Sequence, residues 1–383
     1  MSELKIISAD SHVMEPGDLW VERMDARFKD RAPCVVPNPE APGFVFSIEG
    51  RYFTPAIGTD AVGADDQSLS ERLESGSESD LRSGTGWDSA ERIRAQERDG
   101  VEAEVIYTTL GMSLFKVRDG ELQRESCRAY NDWLFECCSS DLDRFIPIAL
   151  ISLEDVVLAV KDIEEAAKRG FRGAMITAST GPDRPFKSRE YDPFWQAASE
   201  LSMPLSLHNT AGRGDDVTML ESVGLGAFSG LGEGTVGLPE FSANLVYEVP
   251  GSLITIIFGG VLERFPDLKL VSTENDIGWM PYFLQKLDHV FEKFGALAEE
   301  KLSMKPSEYA KRQIFATFQD DPIGASNLEY FGASNYMWAS DYPHLDSTWP
   351  NSRTVIKENF VHVPEETVKK IVYGNVAKLY QLG

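Results

Sequence analysis

Between residues 145 and 208 the chain runs Phe145-Ile146-Pro147-Ile148-Ala149-Leu150, a helical stretch from Leu153 to Lys168, and Arg172-Gly173-Ala174-Met175-Ile176. A second helical stretch from Tyr191 to Leu201 then leads to Pro204-Leu205-Ser206-Leu207-His208. Three short apolar runs separated by two amphipathic helices decide the fold. Strands without polar alternation are buried on both faces, and helices between them act as crossovers joining parallel neighbours. Gly170 stops the first helix, and Asp192-Pro193 opens the second as a cap and first-turn pair.

The same rhythm continues outward. Toward the N-terminus lie the runs Ala103–Tyr107 and Lys5–His12, with helices over Ile93–Arg98 and Glu121–Ser139. Toward the C-terminus, Leu253–Phe258, Leu268–Thr273 and Tyr336–Ser340 are expected strands. Helices are expected over Pro239–Val249, Val261–Phe265, Pro281 to about Leu302, Val355–Asn359 and Glu365–Tyr380. Eight strand–helix units predict an α/β protein, a (β/α)8 TIM barrel spanning residues 1–383 as one domain. No G-x-G-x-x-G follows the first strand, which disfavours an open dinucleotide-binding sheet. An insertion at about 32–86 interrupts the rhythm. Phe44–Ile48 and Tyr52-Phe53 read as a small β arm turning at Glu49-Gly50, and 57–86 is a Gly-, Ser- and acid-rich lid. Residues 209–235 form a second long, Gly-rich active-site loop.

An apolar fraction of 42% and an aromatic fraction of 10% suffice for a core of that size. The net charge of −24 excludes a basic surface for nucleic acid or an anionic membrane. Cys34, Cys127, Cys137 and Cys138 form no C-x-x-C and read as free thiols of a reducing compartment. The N-terminus has no basic leader, and no run approaches the ~18 apolar residues of a membrane span. A cytoplasmic enzyme acting on a small molecule is expected.

In a (β/α)8 barrel the active site lies at the carboxyl ends of the strands. Of the five histidines, His12 ends the first strand, His208 ends the fifth and His344 follows the eighth. His289 lies on the helix after the seventh strand, and His362 sits in a late loop. Asp10, Glu274 and Asp341 are the acids at strand ends, on the first, seventh and eighth strands in this reading. Asp10 and His12 alternate onto one face of a strand. With His208 and Asp341 they make a mixed N/O donor set for one divalent ion, with Glu274 beside it as a further ligand. Zn²⁺ is expected first, Mn²⁺ and Fe²⁺ accept the same donors, and a second ion is left open. Each residue alone has a plainer use, as Asp341 would equally cap a helix.

These residues sit in longer motifs. Asp10-Ser11-His12-Val13-Met14-Glu15-Pro16 with Asp18-Leu19-Trp20, Tyr107–Gly111, Arg144–Pro147, Gly170–Gly173, Tyr191–Trp195, Gly260–Lys269, Ser340-Asp341-Tyr342-Pro343-His344 and Tyr373–Tyr380 together resemble amidohydrolase family 2. That branch of the amidohydrolase superfamily contains aminocarboxymuconate-semialdehyde decarboxylase and the resorcylate-type decarboxylases. The resemblance implies a distorted barrel with one divalent metal bound by Asp10, His12, His208 and Asp341. It also implies hydrolysis, non-oxidative decarboxylation, hydration or, in a few relatives, oxygen-dependent hydroxylation, and it suggests homodimers. Many decarboxylases of the branch carry a His where this chain has Glu274-Asn275-Asp276-Ile277-Gly278.

The reading that follows is a metal-dependent hydrolase acting through activated water on a small cyclic or aromatic carbonyl substrate, with Asp341 or Glu274 moving the proton. An aromatic-acid decarboxylase on the same metal is the alternative, then a metal-dependent oxygenase, and last a barrel without catalysis. His344, with Tyr107, His289 and Arg51, is expected to shape the substrate site.

Overall fold

A computed structural model describes residues 4–39, 43–55, 86–213 and 247–382. Eight strands form one parallel sheet: β1 (Ile7–His12), β5 (Ala103–Tyr107), β6 (Phe145–Leu150), β7 (Gly173–Ile176), β8 (Leu205–His208), β9 (Leu270–Thr273), β10 (Ile314–Phe318) and β11 (Tyr336–Trp338), in that order across the sheet. Every residue of these strands is buried, as expected for a sheet covered on one face by helices and packed with side chains on the other. The helix Val156–Arg169 shows how the outer layer is specified. Asp155 caps it by accepting from Leu158 N, Gly170 ends it at φ 111°, and Val156, Ala159, Ile163 and Ala166 form its buried stripe.

The barrel closes between its first and last strands. Asp341 N donates to Asp10 O at 3.0 Å and His12 N to Tyr342 O at 2.7 Å. Below them Ser340 N donates to Ser8 Oγ at 2.8 Å. The pairing of β1 with β5 slips by one residue between Ser8 and Ser11, a bulge at the strand end that carries Asp10.

Two expected elements differ. Leu253–Phe258 is not a strand; it belongs to a helix, Glu248–Phe258. Its β-branched composition suggested extension, but its buried residues, Val249, Ser252, Leu253, Ile256 and Ile257, follow a helical 3–4 spacing. The strand left out is β10, preceded by the helix Pro306–Gln313. Glu274 therefore follows the sixth barrel strand, not the seventh, and His289 rides on the helix after that sixth strand.

The insertion is a three-stranded antiparallel sheet of β2 (Cys34–Pro37), β3 (Phe44–Ile48) and β4 (Arg51–Pro55). Its β3–β4 turn has Glu49 and Gly50 at φ 53° and 74°, the left-handed pair a tight hairpin requires. The lid expected over 57–86, save Gly86, most of the loop 209–235 and the start of the helix 239–249 fall outside the described residues. Cys127 and Cys138 are free and buried, and burial pushes both thiols up. Among the described residues no helix is long and apolar enough to cross a membrane.

A buried ion pair braces the end of β1. Arg92, on the helix Ser89–Asp99, donates through Nε to Glu104 Oε2 at 2.8 Å and through Nη1 to the His12 carbonyl at 2.5 Å. Gln96 adds a second donor to the same Glu104 oxygen at 2.9 Å. Both charged partners are almost fully buried. Replacing one partner of such a pair strands the other's charge in low dielectric. Glu104→Ala is expected to lower unfolding free energy by about 3–5 kcal/mol, read from urea denaturation. A loss below ~1 kcal/mol would show that Arg92 finds solvent or another partner.

Candidate functional site

His12 and His208 are aimed by their main-chain partners. His12 Nδ1 lies 2.7 Å from Thr108 O, and His208 Nδ1 lies 3.0 Å from Asn209 O. A carbonyl can only accept, so each Nδ1 carries the proton and each Nε2 turns its remaining valence inward. This is how metal-binding imidazoles are commonly oriented.

What the two Nε2 atoms meet is carboxylate. His12 Nε2 is 3.4 Å from Asp10 Oδ1, 3.2 Å from Asp341 Oδ1 and 3.8 Å from Glu274 Oε2. His208 Nε2 is 3.6 Å from Asp10 Oδ1 and 3.3 Å from Glu274 Oε2. Both Asp10 oxygens, both imidazole Nε2 atoms and Asp341 Oδ1 are buried without a hydrogen-bond partner. Buried polar atoms are nearly always satisfied. Five such atoms converging on one point mark the place of a cation. Asp10, His12, His208 and Glu274 offer ligand atoms within 4.8 Å of one another, as do His12, Glu274, Asp341 and His344. The two groupings share His12 and Glu274, and one imidazole nitrogen serves one ion. They therefore describe a single crowded centre.

The main chain is bent to achieve this. Glu274 and Asp341 have φ of 56° and 57°, and Thr210, just past His208, has 60°. Left-handed conformations cost a non-glycine residue roughly 1–2 kcal/mol. Glu274 is held there by its own N–H donating to Thr317 Oγ1 at 2.8 Å and by Asn209 Nδ2 donating to its carbonyl at 2.5 Å.

Charge is distributed unevenly. Burial works against the ionised form of Asp341, yet His344 and His12 outweigh it and hold the carboxyl well below the usual range. Asp10 is likewise lowered, with His208 and His12 overcoming burial. Burial alone would discharge His12, but Asp10 and Asp341 on either side raise it well above an ordinary histidine. Glu274 goes the other way. Burial first and the Asp341 charge second push it up to about 8. His344 is pushed down by burial, only partly opposed by Asp341.

Asp10, His12, His208, Glu274, Asp341 and His344 are thus brought together. His344 stacks on His12 with ring centroids 3.9 Å apart, its Nδ1 3.0 Å from Asp341 Oδ1 and its Nε2 2.9 Å from Thr109 Oγ1. The structure does not bring in the other three. Tyr107 is fully buried beneath the site, its hydroxyl bonded to Ser206 Oγ at 2.8 Å and near Tyr380 at 3.3 Å. It is part of the floor and has no face left for substrate. His289 is exposed on the outer helix Met280–Phe294, away from the strand ends. Arg51 is exposed on the arm, stacked over Phe53. Sequence reasoning passed over Arg92, Thr109 and Glu15. Their signal was faint, a carboxylate three residues past His12 and an arginine in an otherwise polar helix.

An eight-stranded parallel barrel with buried histidines and carboxylates converging at its strand ends defines a barrel enzyme built around a divalent-metal site. The amidohydrolase family model matches residues 81–382, most of the chain, and the chain belongs to that family. Gamma-resorcylate decarboxylase from Polaromonas sp. is 22% identical over 308 residues, covering 76% of this chain and 86% of the relative. Among solved structures, an amidohydrolase from Mycobacterium avium subsp. paratuberculosis superposes with a TM-score of 0.79 at 19% identity, covering 99% of this chain and 98% of that one. A dihydroxybenzoic acid decarboxylase from Polaromonas sp., solved with bound manganese and 2-nitroresorcinol, gives 0.68 at 18%, covering 99% and 97%.

Asp10 and Asp341 beside His12 raise its proton affinity, so a proton and a divalent ion compete for the same Nε2. Ion uptake near neutral pH is expected to release about one proton, and affinity to fall about tenfold per pH unit on acidification. Calorimetry in two buffers of different ionisation enthalpy measures this; pH-independent binding without proton release would refute the arrangement.

Proposed function

We propose that this protein is a metal-dependent, non-oxidative decarboxylase of a small hydroxylated aromatic acid. Two things support the reading: relatives that carry out this chemistry match most of its length, and a carboxyl of raised proton affinity, Glu274, stands beside the metal donors. Burial and the Asp341 charge push Glu274 up to about 8, and its side chain is 21% exposed. A group titrating near the working pH can both give and recover a proton.

Asp10, His12, His208 and Asp341 would hold the divalent ion. When bound, it would supply a Lewis-acidic anchor for the carboxylate and adjacent phenolic oxygen of the substrate. This mixed set of two imidazoles and two carboxylates accepts Mn²⁺ as well as Zn²⁺. The chain's own residues then do the rest. Glu274 Oε2 delivers its proton to the ring carbon that bears the carboxylate. As the carbon–carbon bond breaks, its electron pair stays with the ring and CO2 departs. The exposed edge of Glu274 takes a proton back from solvent. His344, stacked on His12, forms one wall. Thr317 and Asn209 keep Glu274 in its left-handed conformation and so keep the acid over the ring.

Hydrolysis of a small cyclic or aromatic carbonyl compound is the second reading, and one observation favours it. A carboxylate stands where many decarboxylases of this branch carry His, and an ionised Glu274 could serve as base toward water.

Two expected outcomes separate these. With a panel of hydroxybenzoates, wild-type protein should release CO2 equally with and without oxygen, and Glu274→Gln should lower kcat about 10²- to 10⁴-fold with little change in KM. Hydrolytic product from amides or lactones with no CO2 from any acid would decide for the second reading. His208→Ala should abolish both activity and metal content while circular dichroism stays native. A metal-loaded, active His208→Ala protein would refute the assignment of the donors.

A further inference from the structure

Glu15 is three residues past His12 and buried, at the start of the segment that leaves β1. Its carboxylate accepts four donors from a single turn after β5. Oε1 receives Thr108 Oγ1, Thr109 N at 3.2 Å and Gly111 N at 3.2 Å, while Oε2 receives Leu110 N at 3.0 Å. The turn has little latitude, since a side chain at Gly111 would collide with Thr108 Oγ1.

That turn is the one that faces both stacked histidines. Thr108 O takes the proton of His12 Nδ1 at 2.7 Å. The next residue's hydroxyl, Thr109 Oγ1, meets His344 Nε2 at 2.9 Å. Two adjacent residues therefore set the tautomer and ring plane of His12 and the ring plane of His344. Glu15 is the group that clamps those residues. A chain folding back on itself within the same first loop thus orients the imidazole that precedes it, by way of a strand about 90 residues on.

We infer that Glu15 is a positioning residue of the metal centre, acting through the Thr108–Gly111 turn, with Thr109 as its separate arm to His344. It deepens the reading under Proposed function and rests on His12 being a metal donor, but not on decarboxylation. Partners of metal-binding histidines are typically worth 10- to 100-fold in affinity. Losing Glu15 frees four donors at once and lets Thr108 O drift from His12. Losing the Thr109 hydroxyl releases only His344.

The test uses the full chain loaded with Zn²⁺, a diamagnetic probe. In Glu15→Gln, affinity measured by chelator competition should fall about 10- to 100-fold, and the gain in Tm on adding Zn²⁺ should shrink. In Thr109→Val, Zn²⁺ affinity should stay within about twofold of wild type while the His344 ring ¹⁵N signals move; Thr109→Ser should restore them. A purely structural Glu15 would lower Tm equally with and without Zn²⁺ and leave affinity unchanged, which would overturn the inference. So would a Thr109→Val protein whose His344 signals do not move. If Glu15→Gln does not fold, Glu15→Asp, which keeps the charge and shortens the reach by one methylene, carries the same measurement. None of these readouts needs a substrate, so failure to find CO2 release would fall on the proposed reaction alone. Absence of Zn²⁺ binding to the wild type would overturn both.

Discussion

Two main-chain hydrogen bonds at the seam of the barrel hold the rest in place. Asp341 N donates to Asp10 O, and His12 N donates to Tyr342 O. They tie the end of the first strand to the residues just past the last, so residues more than 300 positions apart become neighbours. Without that closure Asp10 and His12 would lie at the edge of an open sheet and Asp341 at the opposite edge. With it, the carboxylates of both edges face the same imidazole.

Assembling three carboxylates around two imidazoles in a buried space is costly unless a cation occupies it. The protein manages the cost in graded fashion. The histidines around Asp10 and Asp341 hold both carboxyls down, whereas burial first and the Asp341 charge second push Glu274 up. Left-handed residues at two strand ends add strain that ordinary strand termini do not carry. Both forms of stored energy are retained where charge has to be placed for chemistry. The Arg92–Glu104 pair and the Glu15 cradle repay part of it by fixing the backbone on either side of His12.

The strand–helix rhythm was legible because parallel strands buried on both faces are continuously apolar, and seven of the eight strands announced themselves that way. The two errors share a cause. In Leu253–Phe258 β-branched residues outweighed a helical spacing of buried positions, and that run filled the place of Ile314–Phe318 in the count. Local preference carries about 1 kcal/mol per residue at most, and packing overrides it. Tyr107 and His289 were singled out for the same reason. A residue type suited to binding says nothing of its depth, and Tyr107 proved to be floor while His289 faces solvent.

By itself the sequence determined the fold class, the strand ends on which Asp10, His12, His208 and Asp341 fall, and the family to which those motifs belong. These depend on short-range periodicity and on residues within one or two positions of each other, which a linear reading captures. Only the tertiary structure decided that Glu274 follows the sixth strand, that burial beside Asp341 raises its proton affinity, that His344 lies flat on His12, and that Glu15 and Arg92 brace the centre. Each of those properties is set by contacts between segments far apart in the chain. Proton affinity and ring orientation are functions of what surrounds a group in space, and the order of residues records that only after the chain has closed.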